Sequence, residues 1–181
     1  MKSFYSVILL FILSILLLNT KANAQNGKTE VRISPKAEVA QQIGLTDVRI
    51  IYGRPGVKGR TIWGKLVPYD AVWRAGANEA TKIIFSTDVY IEGKLLKKGS
   101  YSFFTIPGKK EWTIIFNKVA DQWGAFEYNE SEDALRIKVK PEKNNWQEWL
   151  AYSITRTSDT SATIGLEWEK LKIPFKVEVK L

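Results

Sequence analysis

The sequence predicts an all-β fold: an antiparallel two-sheet sandwich or jelly-roll-like barrel, with a long irregular crossover rich in arginine, tryptophan and glycine. Three observations carry this expectation. Apolar and polar residues alternate with period two along most of the chain. About eight to ten short runs of this kind succeed one another, separated by turn residues, at the spacing of a sandwich. No long amphipathic helix interrupts them.

Residues 1–24 read as a secretory leader. Lys2 supplies the positive start, an apolar stretch from Val7 to Leu18 is broken only by Ser14, and Ala22-Asn23-Ala24 offers small residues for cleavage before Gln25. The apolar stretch is shorter than the ~20 residues of a membrane span. Residues 25–181 are therefore expected as a single β-sandwich domain, periplasmic or secreted, with no membrane span after cleavage. No cysteine follows the cut, so no lipid anchor is expected there.

The predicted strands run in order along the chain. Val48, Ile50 and Tyr52 alternate with Asp47 and Arg49, and further strands are expected at 80–86, 89–91 and 100–106. Trp112, Ile114 and Phe116 alternate with Glu111, Thr113 and Asn117. Leu135, Ile137 and Val139 alternate with Arg136, Lys138 and Lys140. A strand at 149–156 precedes one carrying Ile164, Leu166 and Trp168, and the last carries Ile173, Phe175, Val177, Val179 and Leu181. Glu92-Gly93-Lys94 and Pro107-Gly108-Lys109-Lys110 supply turns, and a helical turn is expected near 62–66.

Composition narrows the chemistry. The chain has no histidine and no cysteine. That removes thiolate nucleophiles, the Ser-His-Asp triad, an imidazole base and an ordinary zinc site. Carboxylate chemistry, a lysine or tyrosine base, or an oxygen-ligated metal remain. No cofactor and no metal are assigned. With Lys2 and Lys21 removed from the 27 basic residues, 25 face 19 acidic ones, a net charge of +6. Many of these lysines, among them Lys138, Lys140, Lys172, Lys176 and Lys180, alternate along strands and read as a solvated, edge-guarding face. No compact basic and aromatic platform for nucleic acid is visible, so none is expected as a partner.

The pattern breaks between Gly53 and Ala80, where three arginines, two tryptophans, five glycines, one asparagine and one glutamate fall within 28 residues. Loops of this length in compact domains are usually functional or internally packed. The blocks Ile50-Ile51-Tyr52-Gly53-Arg54-Pro55, Lys58-Gly59-Arg60, Val67-Pro68-Tyr69, Val72-Trp73-Arg74-Ala75-Gly76-Ala77-Asn78-Glu79-Ala80-Thr81 and Gly99-Ser100-Tyr101-Ser102-Phe103-Phe104-Thr105-Ile106-Pro107 resemble the domain of unknown function 2911 family. The resemblance runs from about Ile33 to the C-terminus. It implies an exported bacterial β domain, mainly of Bacteroidetes, and implies no activity.

The residues themselves leave two readings of the crossover. Arg54, Arg60 and Arg74 could form a fork-shaped site for carboxylate, phosphate or sulfate, with Asn78 adding amide specificity and Trp63 and Trp73 alongside. Glu79 would hold an arginine or act as acid or base. Alternatively Glu79 pairs with Arg74 or Arg60 beneath the loop and the two tryptophans stack on guanidinium planes, which staples the crossover. The stapling reading is ahead. Trp123 and Trp146 sit in polar surroundings and could stack on sugar rings, although capping the sandwich ends is preferred. The acidic island Glu127, Asn129, Glu130, Glu132 and Asp133 matches no calcium loop and reads as a solvated turn.

Three functions remain open: a binding module for an anionic small molecule or glycan, a hydrolase with Glu79 as acid or base and a partner such as Asp70 or Glu127, and a structural envelope protein. The first leads. Oligomeric state is not legible.

Overall fold

The computed structural model describes residues 31–180, so the predicted leader and Leu181 lie outside the described residues. Ten strands succeed one another in chain order: β1 (Lys36–Ile43), β2 (Thr46–Gly53), β3 (Thr81–Phe85), β4 (Val89–Ile91), β5 (Lys94–Leu96), β6 (Gly99–Ile106), β7 (Trp112–Asn117), β8 (Asp133–Val139), β9 (Glu142–Ser158) and β10 (Ser161–Glu178). All pairings between them are antiparallel. One sheet runs β1-β2-β3-β6-β7-β8 and the other β5-β4-β10-β9. The two sheets do not close into a barrel, so the sandwich alternative holds.

The core lies between the sheets. Phe103 of β6 and Phe175 of β10 stack across the gap with centroids 5.6 Å apart, and Phe116 meets both rings edge-on. Offset and edge-to-face contacts of this kind suit the aromatic quadrupole. At one end Trp63, Trp73, Trp112 and Trp168 form a second aromatic knot; Trp73 and Trp168 lie nearly parallel at 5.9 Å.

Period-two alternation located most strands but not their continuity. The two runs carrying Ile164–Leu166–Trp168 and Ile173–Phe175–Val177 have opposite parity, which reads as two strands. They are one strand, β10. Irregularities in its pairing with β9 fall between Glu167 and Leu171, where Glu169 takes a left-handed φ of 56°, and the inward face switches from even to odd positions. Pro174 falls between the residues of β10 that pair with β9 and those that pair with β4, so its missing N–H leaves no gap in a ladder.

Two further differences have physical causes. Strand β1 was not expected, because Ala37, Val39 and Gln41 offer little apolar contrast; it is an edge strand held by its eight-residue ladder with β2. The segment near 62–66 is not helical. Val67 and Leu66 donate back to Ile62 and Thr61 in wide turns, and Gly64 donates to Val67.

Polar Asn117 at the end of β7 organises the loop that leads to β8. Fully buried, it donates to the Asn129 carbonyl and to Asp133 Oδ1 and accepts from Val119 N–H and Gln122 Nε2. The loop it anchors lies over the outer face of β6 and β7, where Ala125 and Tyr128 cover Phe104 and Ile115. This explains why Phe103 and Phe104 are both buried although adjacent residues of a strand face opposite ways.

Candidate functional site

The crossover is built by close backbone approach. A methyl group added to Gly53 would run into the Ala77 carbonyl, and one added to Gly76 would sit 2.9 Å from Thr81 Oγ1. Only glycine lets the two segments meet there. Trp73 then exchanges two hydrogen bonds with Thr105 (2.7 and 2.9 Å), which extends the edge of β6 and fixes where Arg74 begins. Beyond it Ala75 and Asn78 take left-handed φ values of 52° and 64°. Such strain persists only where surroundings enforce it. Here Thr81 Oγ1 and the buried Tyr152 hydroxyl both donate to the Ala75 carbonyl, at 2.9 Å each.

This framework separates the candidate residues. Arg54 is not part of a shared arginine fork: its Nε donates to the Leu150 carbonyl at 3.0 Å, tying the crossover to β9. Trp63 is packed into the aromatic knot, and neither it nor Trp73 stacks on a guanidinium. Among the described residues the cation–π contacts are Lys58 over Trp149 and Lys180 over Tyr90.

Glu79 pairs with neither Arg74 nor Arg60. Its carboxylate takes a two-pronged bond from Arg32, both distances 2.8 Å, with the side chains 43% and 45% exposed. The Arg32 bond holds the Glu79 pKa below the usual carboxylate value. The stapling reading placed this charge beneath the loop because sequence could not show Arg32 arriving from 47 residues upstream.

Arg60, Arg74, Asn78 and Trp73 do come together. They line a cleft of about 280 Å³ with Lys58, Gly56, Gly76 and Trp168. Arg60 is partly committed, since Nε and one terminal nitrogen donate to the carbonyls of Val57 (3.1 Å) and Gly56 (2.5 Å). Asn78 spends one N–H on the Ser34 carbonyl at 3.2 Å. Arg74 is different. Its Nε is buried with no partner, no ion pair reaches it among the described residues, and burial alone lowers its pKa. No carboxylate lines this cleft among the described residues.

A second cleft, of about 330 Å³, opens behind the Glu79 side of the same segment. Lys36, Lys82, Glu79, Asp121, Gln122 and Trp123 contribute to its walls. Lys82 and Asp121 form an ion pair, and Glu79 and Trp123 are joined by a β-bridge. Asp70 and Glu127, the expected carboxylate partners for Glu79, line neither cleft; Asp121 does. Lys58 belongs to one of the family-like blocks, but Asp121 and Gln122 carried no signal in sequence because their partners are distant along the chain.

The acidic island is a structural network. Asp133 accepts from Tyr128 and Arg136, both at 2.6 Å, and Glu130 pairs with Arg136 at 3.0 Å. Among the described residues no group of three acidic side chains is placed to hold a metal ion.

Residues 34–177 match the family DUF2911, described as a protein of unknown function, and the chain belongs to that family. No curated protein and no solved structure matches the chain.

Proposed function

We propose that this protein is an exported binding module for a small molecule bearing a carboxylate, phosphate or sulfate group, held in the cleft of Arg74, Arg60 and Lys58. One observation carries the reading: a half-buried guanidinium, without a counter-ion among the described residues, lines a cleft whose other charged groups there are also cationic. A buried charge without a partner is costly, and an incoming anion is the group that relieves it. Guanidinium suits such anions because its planar fork donates two parallel bonds. The strained Ala75–Asn78 turn presents Arg74 and Asn78 from a fixed backbone, which lowers the ordering cost of binding. The predicted leader supports a location outside the cytoplasm.

The hydrolase alternative has less support. Glu79 held ionised by Arg32 suits neither role well, because a general acid must carry its proton near the working pH and a lowered pKa weakens a base.

Titration calorimetry at low ionic strength tests the proposal, with inorganic phosphate, sulfate and citrate as probes. At least one should bind saturably, and Arg74→Met should weaken it at least tenfold. Added sodium chloride should weaken the wild-type interaction as well. Equal affinity in wild type and Arg74→Met would overturn the assignment, as would the absence of binding by all three.

A further inference from the structure

The second cleft has a chemistry of its own. Trp123 is 60% exposed on its rim, a large cost for an indole left in water. Exposed tryptophans are often mobile loop ornaments, but this one is fixed on both sides. Ala80 N–H donates to the Gln122 carbonyl at 2.9 Å and Gly124 N–H to the Asn78 carbonyl at 3.1 Å. The neighbouring Gln122 is 7% exposed, and the two hydrogens of its Nε2 are shared among Ser102 Oγ, Asn117 Oδ1 and the Val119 carbonyl, at 3.1, 3.2 and 2.8 Å. Since the Val119 carbonyl can only accept, the amide orientation is determined. Gln122 Oε1 is then a buried acceptor with no partner among the described residues, in a residue lining the cleft. Buried polar groups are normally satisfied, and an exception needs a reason.

We infer that this cleft is a saccharide subsite, in which one face of a pyranose ring stacks on Trp123 and its hydroxyls are bonded by Glu79, Asp121 and Lys36. The C–H bonds on the flatter face of a sugar ring carry partial positive charge, which the negative face of an indole attracts. A hydroxyl both donates and accepts, so it is matched by a rim carrying carboxylates and ammonium groups together. Glu79 and Asp121 each keep lone pairs free after binding Arg32 and Lys82. The volume lies at the small end of ligand pockets, which run ~300–1,000 Å³, room for one ring rather than a folded partner. Gln122 Oε1 is closed off from solvent beneath the cleft wall, and only a shift of that wall would bring it to a hydroxyl or a bridging water. The site does not depend on the cationic cleft, since Arg74, Arg60 and Lys58 do not line it.

Calorimetric titration of the whole protein with cellohexaose, chitohexaose, mannohexaose and xylohexaose tests the inference. At least one of these neutral probes should bind. Trp123→Ala should weaken it at least tenfold while leaving the thermal midpoint unchanged, since the ring is exposed. Asp121→Asn, which removes an exposed rim carboxylate together with its pairing to Lys82, should weaken it by a smaller factor. Arg74→Met should bind the sugar like wild type, so failure of the anion proposal and failure of this one are told apart. Absence of binding by all four sugars overturns the inference, and so does binding that survives Trp123→Ala. Binding of the tripeptide Gly-Trp-Gly in place of every sugar would reassign the cleft to peptides and equally overturn it.

Discussion

Removing the Arg74 charge should stabilise the protein, a result opposite in sign to most substitutions of a partly buried residue. Arg74 Nε is a buried donor with no partner among the described residues. An unsatisfied buried polar group costs ~1–3 kcal/mol. The rest of the guanidinium reaches solvent, which screens its charge, so the lower end applies. Methionine keeps an unbranched stem and discards the donors. Arg74→Met should therefore raise the unfolding free energy by about 1 kcal/mol, or about 3 °C in Tm for a domain of this size. The assay is urea unfolding in a buffer free of phosphate, sulfate and carboxylates, because a bound anion would stabilise wild type alone. Adding sulfate should then narrow or reverse the gap. A loss of about 2 kcal/mol or more in Arg74→Met would mean that the guanidinium holds the fold together. Arg74 would then be scaffold rather than a site kept at the expense of stability.

Two other expectations rest on the geometry. Gly53→Ala should lose about 3 kcal/mol or fail to fold, because the added methyl meets the Ala77 carbonyl and the whole crossover must shift; unchanged urea unfolding would show that the contact is slack. Tyr128 is pushed up to about 12 by burial and by its bond to Asp133, against ~10 in an unfolded chain. Between those values the unfolded state binds fewer protons, so stability should be intact below pH 10 and fall toward pH 12. Unfolding followed across that range should show the loss, and Tyr128→Phe should reduce its slope.

The strands were legible where one face of a residue run is apolar and the other polar, as in β2, β7 and β8, because period-two alternation is a local consequence of the pleat. It failed for β1, whose inward residues Ala37, Val39 and Gln41 are small or polar and only partly buried, so the alternation is faint. It also split β10, because the bulge that switches parity depends on what β9 offers opposite it. Arginines and glycines between 53 and 80 marked the crossover as the place to look. Only the fold could divide them, sending Arg54 to the Leu150 carbonyl, Trp63 into the aromatic knot and Glu79 to Arg32.

By itself, then, the sequence determined the class of fold, the exclusion of histidine and cysteine chemistry, and the segment where regular structure gives way. Those are properties of composition and short-range pattern. Tertiary structure decided which charges are partnered, since an ion pair joins residues far apart in the chain and its value depends on burial. It left Arg74 without a counter-ion among the described residues, beside Arg60 and Lys58, and it placed Trp123 over a second cleft through the hydrogen bonds of Gln122 to Asn117 and Ala80 and of Gly124 to Asn78.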